Sequence, residues 1–201
     1  MNDELIFEET AIVPAEVQAP TVTVFNPSIG AAGFDLAQRM SKALASSDLV
    51  PESFRGNVAN CLIALEIANR LNMAPLLVMQ NLHIIYGRPS WSSQFIIAAI
   101  NSSRRFTTLK FEFSSDRSKC TAYATERASG EVCRGATVSL EMAAAEGWTT
   151  KKGSKWLTMP ELMLQYRAAA FFGRVYCPEI LNGLYSEQEV TDIGTSNEQT
   201  R

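Results

Sequence analysis

Two arginines on one predicted helix, and three lysines just before it, form the cluster of residues best suited to chemistry. Arg167 and Arg174 are seven positions apart, which places them on one face of a helix about 10 Å apart. Lys151, Lys152 and Lys155 lie in the polar segment upstream. A nucleic-acid backbone needs repeated cations of this kind to neutralise its phosphates. The spacing therefore favours binding of a polyanion over covalent catalysis.

Aromatic rings could complete such a site, because nucleic-acid bases stack on flat side chains. The candidate rings are Tyr86, Trp91, Trp148, Trp156 and Tyr166. Three structural alternatives stay open at this point. The lysines could form a solvated loop, the arginines could pair with acids flanking the core, and the aromatic rings could be ordinary core residues.

The sequence lacks the residues that most catalytic mechanisms require. The sequence contains no P-loop, dinucleotide-binding fingerprint or serine nucleophile elbow. The single histidine, His83, sits in an apolar run and is typical of a hydrogen-bonded structural histidine. We therefore expect no catalytic residues, no metal and no cofactor, and no enzyme in the covalent sense.

The cysteines offer one rival chemistry. The four cysteines are Cys61, Cys120, Cys133 and Cys177, and none belongs to a C-x-x-C pair, so we expect no zinc site. We expect free thiols in a reducing cytosol. A nucleophilic Cys177 would make the protein a small-molecule enzyme, but it has no local histidine partner. We also expect no secretory signal and no membrane association, because no apolar run is long enough.

Charge divides the 201 residues into three parts. Residues 1–30 carry five acids and no Lys or Arg, and we expect an acidic flexible arm. Residues 186–201 carry four acids and one arginine, and we expect an acidic flexible tail. The core domain, 31–185, is basic, with 13 Lys or Arg against 7 Asp or Glu between 88 and 174. The acidic flanks would then compete with a polyanion for the basic core.

The element pattern predicts an α+β fold in which a short antiparallel three-stranded meander and a hairpin pack with several helices. Helical periodicity predicts helices over Phe34–Leu49, Pro51–Asn72 and Ser92–Ser102, with a short one from Pro75. A Gly87–Arg88 link predicts the hairpin after Leu82–Tyr86. Ser139 is expected to cap a short helix, and Thr158 with Glu161 predicts a capping box for a helix ending near Tyr176.

Alternation predicts the meander. Leu109, Phe111 and Phe113 alternate with polar residues, and the pattern recurs over 120–125 and 132–140.

Two stretches carry a resemblance to a known family. Met73–Ile100 reads MAPLLVMQNLHIIYGRPSWSSQFIIAAI, and Trp156–Val190 reads WLTMPELMLQYRAAAFFGRVYCPEILNGLYSEQEV. Together with the intervening meander they resemble the phage RecT and Red-beta single-strand annealing proteins, over about Phe34–Val190. The resemblance rests on the order of elements and on scattered matches.

This resemblance implies an oligomer, a ring or helical filament, that binds single-stranded DNA and anneals complementary strands without ATP in phage-type recombination. It implies DNA and annealed duplex as partners, with a phage exonuclease and a host single-strand binding protein, in the cytoplasm of a bacterial host. By position, Arg88, the Lys151/Lys152/Lys155 loop, Arg167 and Arg174 would lie near a basic groove. Many relatives carry a longer C-terminal region for partner proteins, so the resemblance leaves partner recruitment open.

This resemblance predicts that alanine at Arg167, at Arg174 or at the three lysines weakens DNA binding without unfolding the protein. The main rival is a phage structural or assembly protein that oligomerises through apolar helices and has no annealing activity.

Overall fold

The computed structural model describes residues 30–194, and these residues form an α+β fold, as predicted. The helices described are α1 (Gly30–Ala45), α2 (Val58–Leu71), α3 (Pro75–Asn81), α4 (Ser93–Ser102), α5 (Leu140–Ala145), α6 (Lys155–Thr158), α7 (Pro160–Tyr176), α8 (Pro178–Leu181) and α9 (Glu187–Gly194). The strands described are β1 (Leu82–Ile85), β2 (Arg88–Trp91), β3 (Lys110–Phe113), β4 (Lys119–Thr125), β5 (Val132–Arg134), β6 (Val138–Ser139) and β7 (Tyr185–Ser186). Apart from Gly30, the predicted acidic arm lies outside the described residues.

The first two helices pack on each other and differ from their predicted bounds. A helix was expected throughout Pro51–Asn72, but the chain makes only a 3-10 turn over Glu52–Phe54 before α2 begins. Gly56 has a φ of +67°, which breaks helical geometry. Asn57 then caps α2 by accepting the Asn60 N–H at 3.0 Å.

The predicted hairpin exists, but its turn is one residue earlier than expected. Tyr86 and Gly87 form the link between β1 and β2, with φ of 51° and 73°. Two consecutive positive φ values are typical of a type I′ turn, whose twist matches that of the strands. Arg88 is therefore the first residue of β2 and not part of the turn.

The predicted meander is confirmed. The sheet contains β3, β4 and β5 as antiparallel neighbours. The third strand, expected over 132–140, is divided into two short strands, because β5 pairs with the end of β4 and β6 pairs with its start. Cys120, Ala122 and Ala124 form the buried face of β4, which packs on α7. Ser139 caps α5 as predicted, and Ser92, where the sequence predicted the start of a helix, caps α4.

α7 lies at the centre of the core, and small residues set its distance from the sheet. Ala168, Ala169 and Ala170 are fully buried. A Cβ added to Gly135 would lie 3.2 Å from the Cα of Phe172, so the chain after β5 passes very close to α7.

The capping box predicted at the start of α7 is wrong. The N-cap is Met159 and not Thr158, and it makes no side-chain bond. The Glu161 carboxylate accepts from Arg117.

The predicted boundary at residue 186 is also wrong. β7 pairs in parallel with β2, so the hairpin becomes a three-stranded sheet. α9 packs against β1 and β2, and Val190 is 3% exposed. The segment 186–194 therefore belongs to the core domain.

No single helix within residues 30–194 has both the length and the apolar content of a membrane span. α2 and α3 reach those values only when taken together, and they are bent by 112°. The same residues hold no group of three or more His, Cys, Asp or Glu arranged to bind a metal ion.

Candidate nucleic-acid interface

A groove of about 900 Å³ lies between the tip of the β1–β2 hairpin, the loop joining α5 to α6, and α9. Of the residues predicted for a nucleic-acid site, it brings together Tyr86, Lys151, Lys152, Lys155 and Trp156. Residues 86 and 151–156 are far apart in sequence, so the fold itself assembles this set. The groove is therefore the candidate interface.

The loop that carries the lysines is shaped by its glycines and serines. Gly147 and Gly153 have φ of 70° and 75° and turn the chain at both ends of the loop. The Ser154 hydroxyl donates to the Trp148 carbonyl at 2.7 Å and accepts from the Trp156 N–H at 3.3 Å. These bonds fix the loop beneath the lysine side chains.

The three lysines have different environments. Lys152 and Lys155 are exposed, and within residues 30–194 neither has a carboxylate within ion-pairing distance. The Lys151 side chain is 17% exposed, and its Nζ lies 3.5 Å from Asp192 Oδ1 and donates to the Thr191 carbonyl of α9. Lys152 and Lys155 are thus open to a ligand, whereas Lys151 is held by α9.

Arg167, predicted as a DNA contact, does not face solvent in the described structure. It is 5% exposed, pairs with the Asp192 carboxylate and stacks over the Trp148 ring at 3.9 Å. Burial lowers the pKa of Arg167 and raises that of Asp192, in each case against the attraction of the partner charge. The pair is a desolvated ion pair within the core.

Arg174 makes a similar contact nearer the surface. Its guanidinium donates to Glu189 Oε1 at 2.7 Å and lies 4.8 Å from the centre of the Tyr185 ring, and its side chain is 42% exposed. Both arginines therefore occupy one face of α7, as predicted, but their partners are acids of α9. The ion-pairing alternative is confirmed for both.

α9 supplies the residues that the sequence analysis did not identify. Glu187, Glu189 and Asp192 lie opposite His83, Arg174 and Arg167 respectively, with His83 Nε2 3.2 Å from Glu187 Oε2.

The sequence does contain a signal for α9. The Ser186 N–H donates to Glu189 Oε2 at 3.0 Å, and the Glu189 N–H donates back to the Ser186 hydroxyl at 3.3 Å. This is a capping box, readable in the sequence as Ser-x-x-Glu.

Of the five candidate rings, three are buried core residues, and a fourth, Tyr166, is half-buried and packs against the core. Trp91 is fully buried, stacks on Phe95 and donates its indole N–H to the Leu181 carbonyl. Trp148 and Trp156 are 9% and 3% exposed and pack together, although an edge of Trp156 reaches the groove. The core-packing alternative is correct for these three.

Tyr86 is the exception among the predicted aromatic contacts. Its side chain is 60% exposed at the tip of the hairpin, where it borders the groove. Arg88 is exposed on the same hairpin but is not among the residues that line the cavity. The hairpin therefore offers one accessible ring to a ligand in the groove, with one arginine nearby.

The cysteines are buried free thiols. Burial raises the pKa of Cys120 and of Cys177 to about 11, and it raises the pKa of Cys61 and Cys133 as well. A thiol with so high a pKa carries almost no thiolate near neutral pH, which argues against Cys177 as a nucleophile.

The burial of the thiols predicts slow modification. In the native protein, we expect a disulfide reagent such as DTNB to label the cysteines far more slowly than a free thiol, and all four to react in guanidinium chloride. Rapid native labelling of one equivalent that disappears in Cys177→Ser would contradict this picture and revive the enzyme alternative.

Comparison of the chain with protein-family models, with curated proteins and with solved structures finds no match.

Proposed function

We propose that this protein binds single-stranded DNA through the groove between the hairpin, the lysine loop and α9, and that it anneals complementary strands without ATP. It acts as an oligomer in phage-type recombination in the bacterial cytoplasm, and it makes or breaks no covalent bond. The observation that carries the proposal is the placement of Lys152 and Lys155, exposed and without carboxylate partners in the described residues, across a groove from the exposed ring of Tyr86.

Cations and a ring are the two components of sequence-independent recognition of a single strand. Lysines neutralise phosphates and release counterions, and a tyrosine ring accepts any base as a stacking partner. Annealing needs little more from the protein. Two strands must be concentrated and their repulsion reduced, while the pairing edges of the bases stay free. The resemblance to RecT and Red-beta proteins supports the same function.

The proposal is tested by strand annealing with complementary labelled oligonucleotides, without ATP, at low and high salt. We expect the protein to accelerate duplex formation at low salt and to lose this effect as salt rises, because phosphate contacts are screened. Oligomers in light scattering without salt-sensitive DNA binding would instead favour the structural or assembly protein.

The site is tested by the double variant Lys152→Gln/Lys155→Gln. Loss of two phosphate contacts should weaken oligothymidine binding on the order of tenfold at moderate salt, and it should reduce the slope of log K against log salt by about 1.4. The measurement is fluorescence anisotropy over a salt series.

The matched control is Lys110→Gln/Lys119→Gln, which makes the same change in net charge on exposed positions of β3 and β4 outside the groove. We expect this control to leave the salt slope unchanged. Equal effects of the two double variants would mean that the groove lysines are not special and that the site is elsewhere.

A further inference from the structure

α9 covers the cations that would otherwise extend the groove. Arg167 and Arg174 project from α7 and Lys151 from the loop, and all three end on acceptors of α9. Glu189 is 3% exposed and Asp192 is 9% exposed, so these carboxylates are shielded from water and contact the cations instead. Arginine forms charge-assisted hydrogen bonds with carboxylates and with phosphates by the same donor geometry. The face under α9 is thus chemically suited to phosphate.

α9 also sets the charge of the groove. Three lysines line the cavity together with three acids, Glu146, Glu187 and Asp192, so their charges balance in the described state. Two of those acids belong to α9. Without α9 the cavity would keep its lysines, lose two acids and gain Arg167 and Arg174. The affinity of the groove for a polyanion therefore depends on where α9 lies.

We propose that Lys151, Arg167 and Arg174 form a second polyanion site, that α9 is its resident occupant, and that the backbone of single-stranded DNA displaces α9 from it. This inference rests on the proposed function, since it makes the covered face a continuation of the groove. The acids of α9 then act as internal competitors, and an incoming strand must replace them.

The attachment of α9 is suited to displacement. The helix has eight residues, too few to be stable alone, and it is joined to the core through the two-residue strand β7. Its buried apolar anchor is Val190, and Gln188 contacts the Ser93 hydroxyl. Weakening this attachment should raise the fraction of molecules with an open site, and the apparent affinity rises with that fraction.

The test is Val190→Ala, measured against Val138→Ala. Both remove the same atoms from fully or nearly fully buried positions, but Val138 lies in β6, away from α9. We expect Val190→Ala to tighten oligothymidine binding by about fivefold and to steepen its salt dependence, because the attachment weakens while the cations remain. Val138→Ala should leave both unchanged. A deletion of α9 is less informative, since it would also uncover the parts of β1, β2 and β7 on which the helix packs.

A second variant protects the test against a folding defect. Gln188→Ala removes the contact with Ser93 without changing charge, and it should give a smaller gain in the same direction. Thermal melting of all variants establishes that they are folded. If Val190→Ala and Gln188→Ala bind DNA as Val138→Ala does, while the wild type binds in a salt-sensitive way, the second site is refuted and the proposed function stands.

Binding of inorganic polyphosphate, measured on the same variants, distinguishes a failure of the DNA function from a failure of the covered site. Tighter polyphosphate binding by Val190→Ala, with no DNA binding by any variant, would support the covered site and overturn the DNA function. If neither ligand binds any variant, both proposals are wrong.

Discussion

Replacing Arg167 by alanine should lower the free energy of unfolding by about 3 kcal/mol, because the Asp192 carboxylate would stay buried with only the more distant Lys151, at 3.5 Å, as a cation partner. The change also removes the guanidinium that stacks on Trp148. The fold, and not only a binding contact, therefore depends on this side chain. The resemblance had suggested the opposite, a binding defect in a stable protein.

Urea unfolding followed by circular dichroism measures this effect. Arg174→Ala is the comparison, and we expect a smaller loss because that side chain is 42% exposed. The double variant Arg167→Met/Asp192→Leu should recover much of the stability, since it removes both buried charges and leaves Lys151 with its hydrogen bond to the Thr191 carbonyl. A fully stable Arg167→Ala protein would contradict the role of Arg167 in a buried ion pair that supports the fold.

Replacing Tyr86 by asparagine should change stability and binding in opposite directions. Tyr86 has a φ of 51° in a type I′ turn, a position that costs a bulky residue about 1 kcal/mol or more and that asparagine before glycine prefers. The free energy of unfolding should rise by about 1 kcal/mol. Loss of the exposed ring should weaken oligothymidine binding by about tenfold, the low-to-middle range for one stacked base.

Thermal melting and fluorescence anisotropy on the same samples test this pair of effects. Tyr86→Phe is the control, because it keeps the ring and the strained turn, and it should match the wild type in both measurements. A Tyr86→Asn protein that is more stable and binds DNA as tightly as before would show that the ring is not a contact. DNA binding would then not explain why a tyrosine occupies this strained position of the turn.

The parts of the fold that depend on local pattern could be predicted. Strict alternation identified the β3–β5 meander, and Ser92, Ser139 and Pro75 marked true helix starts. Local signals failed where a competing partner lay far away in sequence. Glu161 fits a capping box with Thr158, but Arg117, 44 residues earlier, binds its carboxylate.

The candidate site shows the same division. That Arg167 and Arg174 share a face follows from helical geometry, and the structure confirms it. Their partners could not be read from spacing, because the acids of α9 reach α7 only through the parallel pairing of β7 with β2. The acidic composition of 186–201 suggested a solvated tail, whereas the capping box at Ser186 and the apolar Val190 indicated a helix. For this segment, the local helix signals predicted the structure better than the acidic composition did.

The pairing of β7 with β2 has a consequence for synthesis of the chain. The hairpin is made about 100 residues before its third strand, as are Trp91 and Ser93, whose partners lie at Leu181 and Gln188. A nascent chain therefore holds an open sheet edge and an uncovered Arg167 until its last described helix leaves the ribosome. Chaperone contact and misassembly would concentrate in that interval.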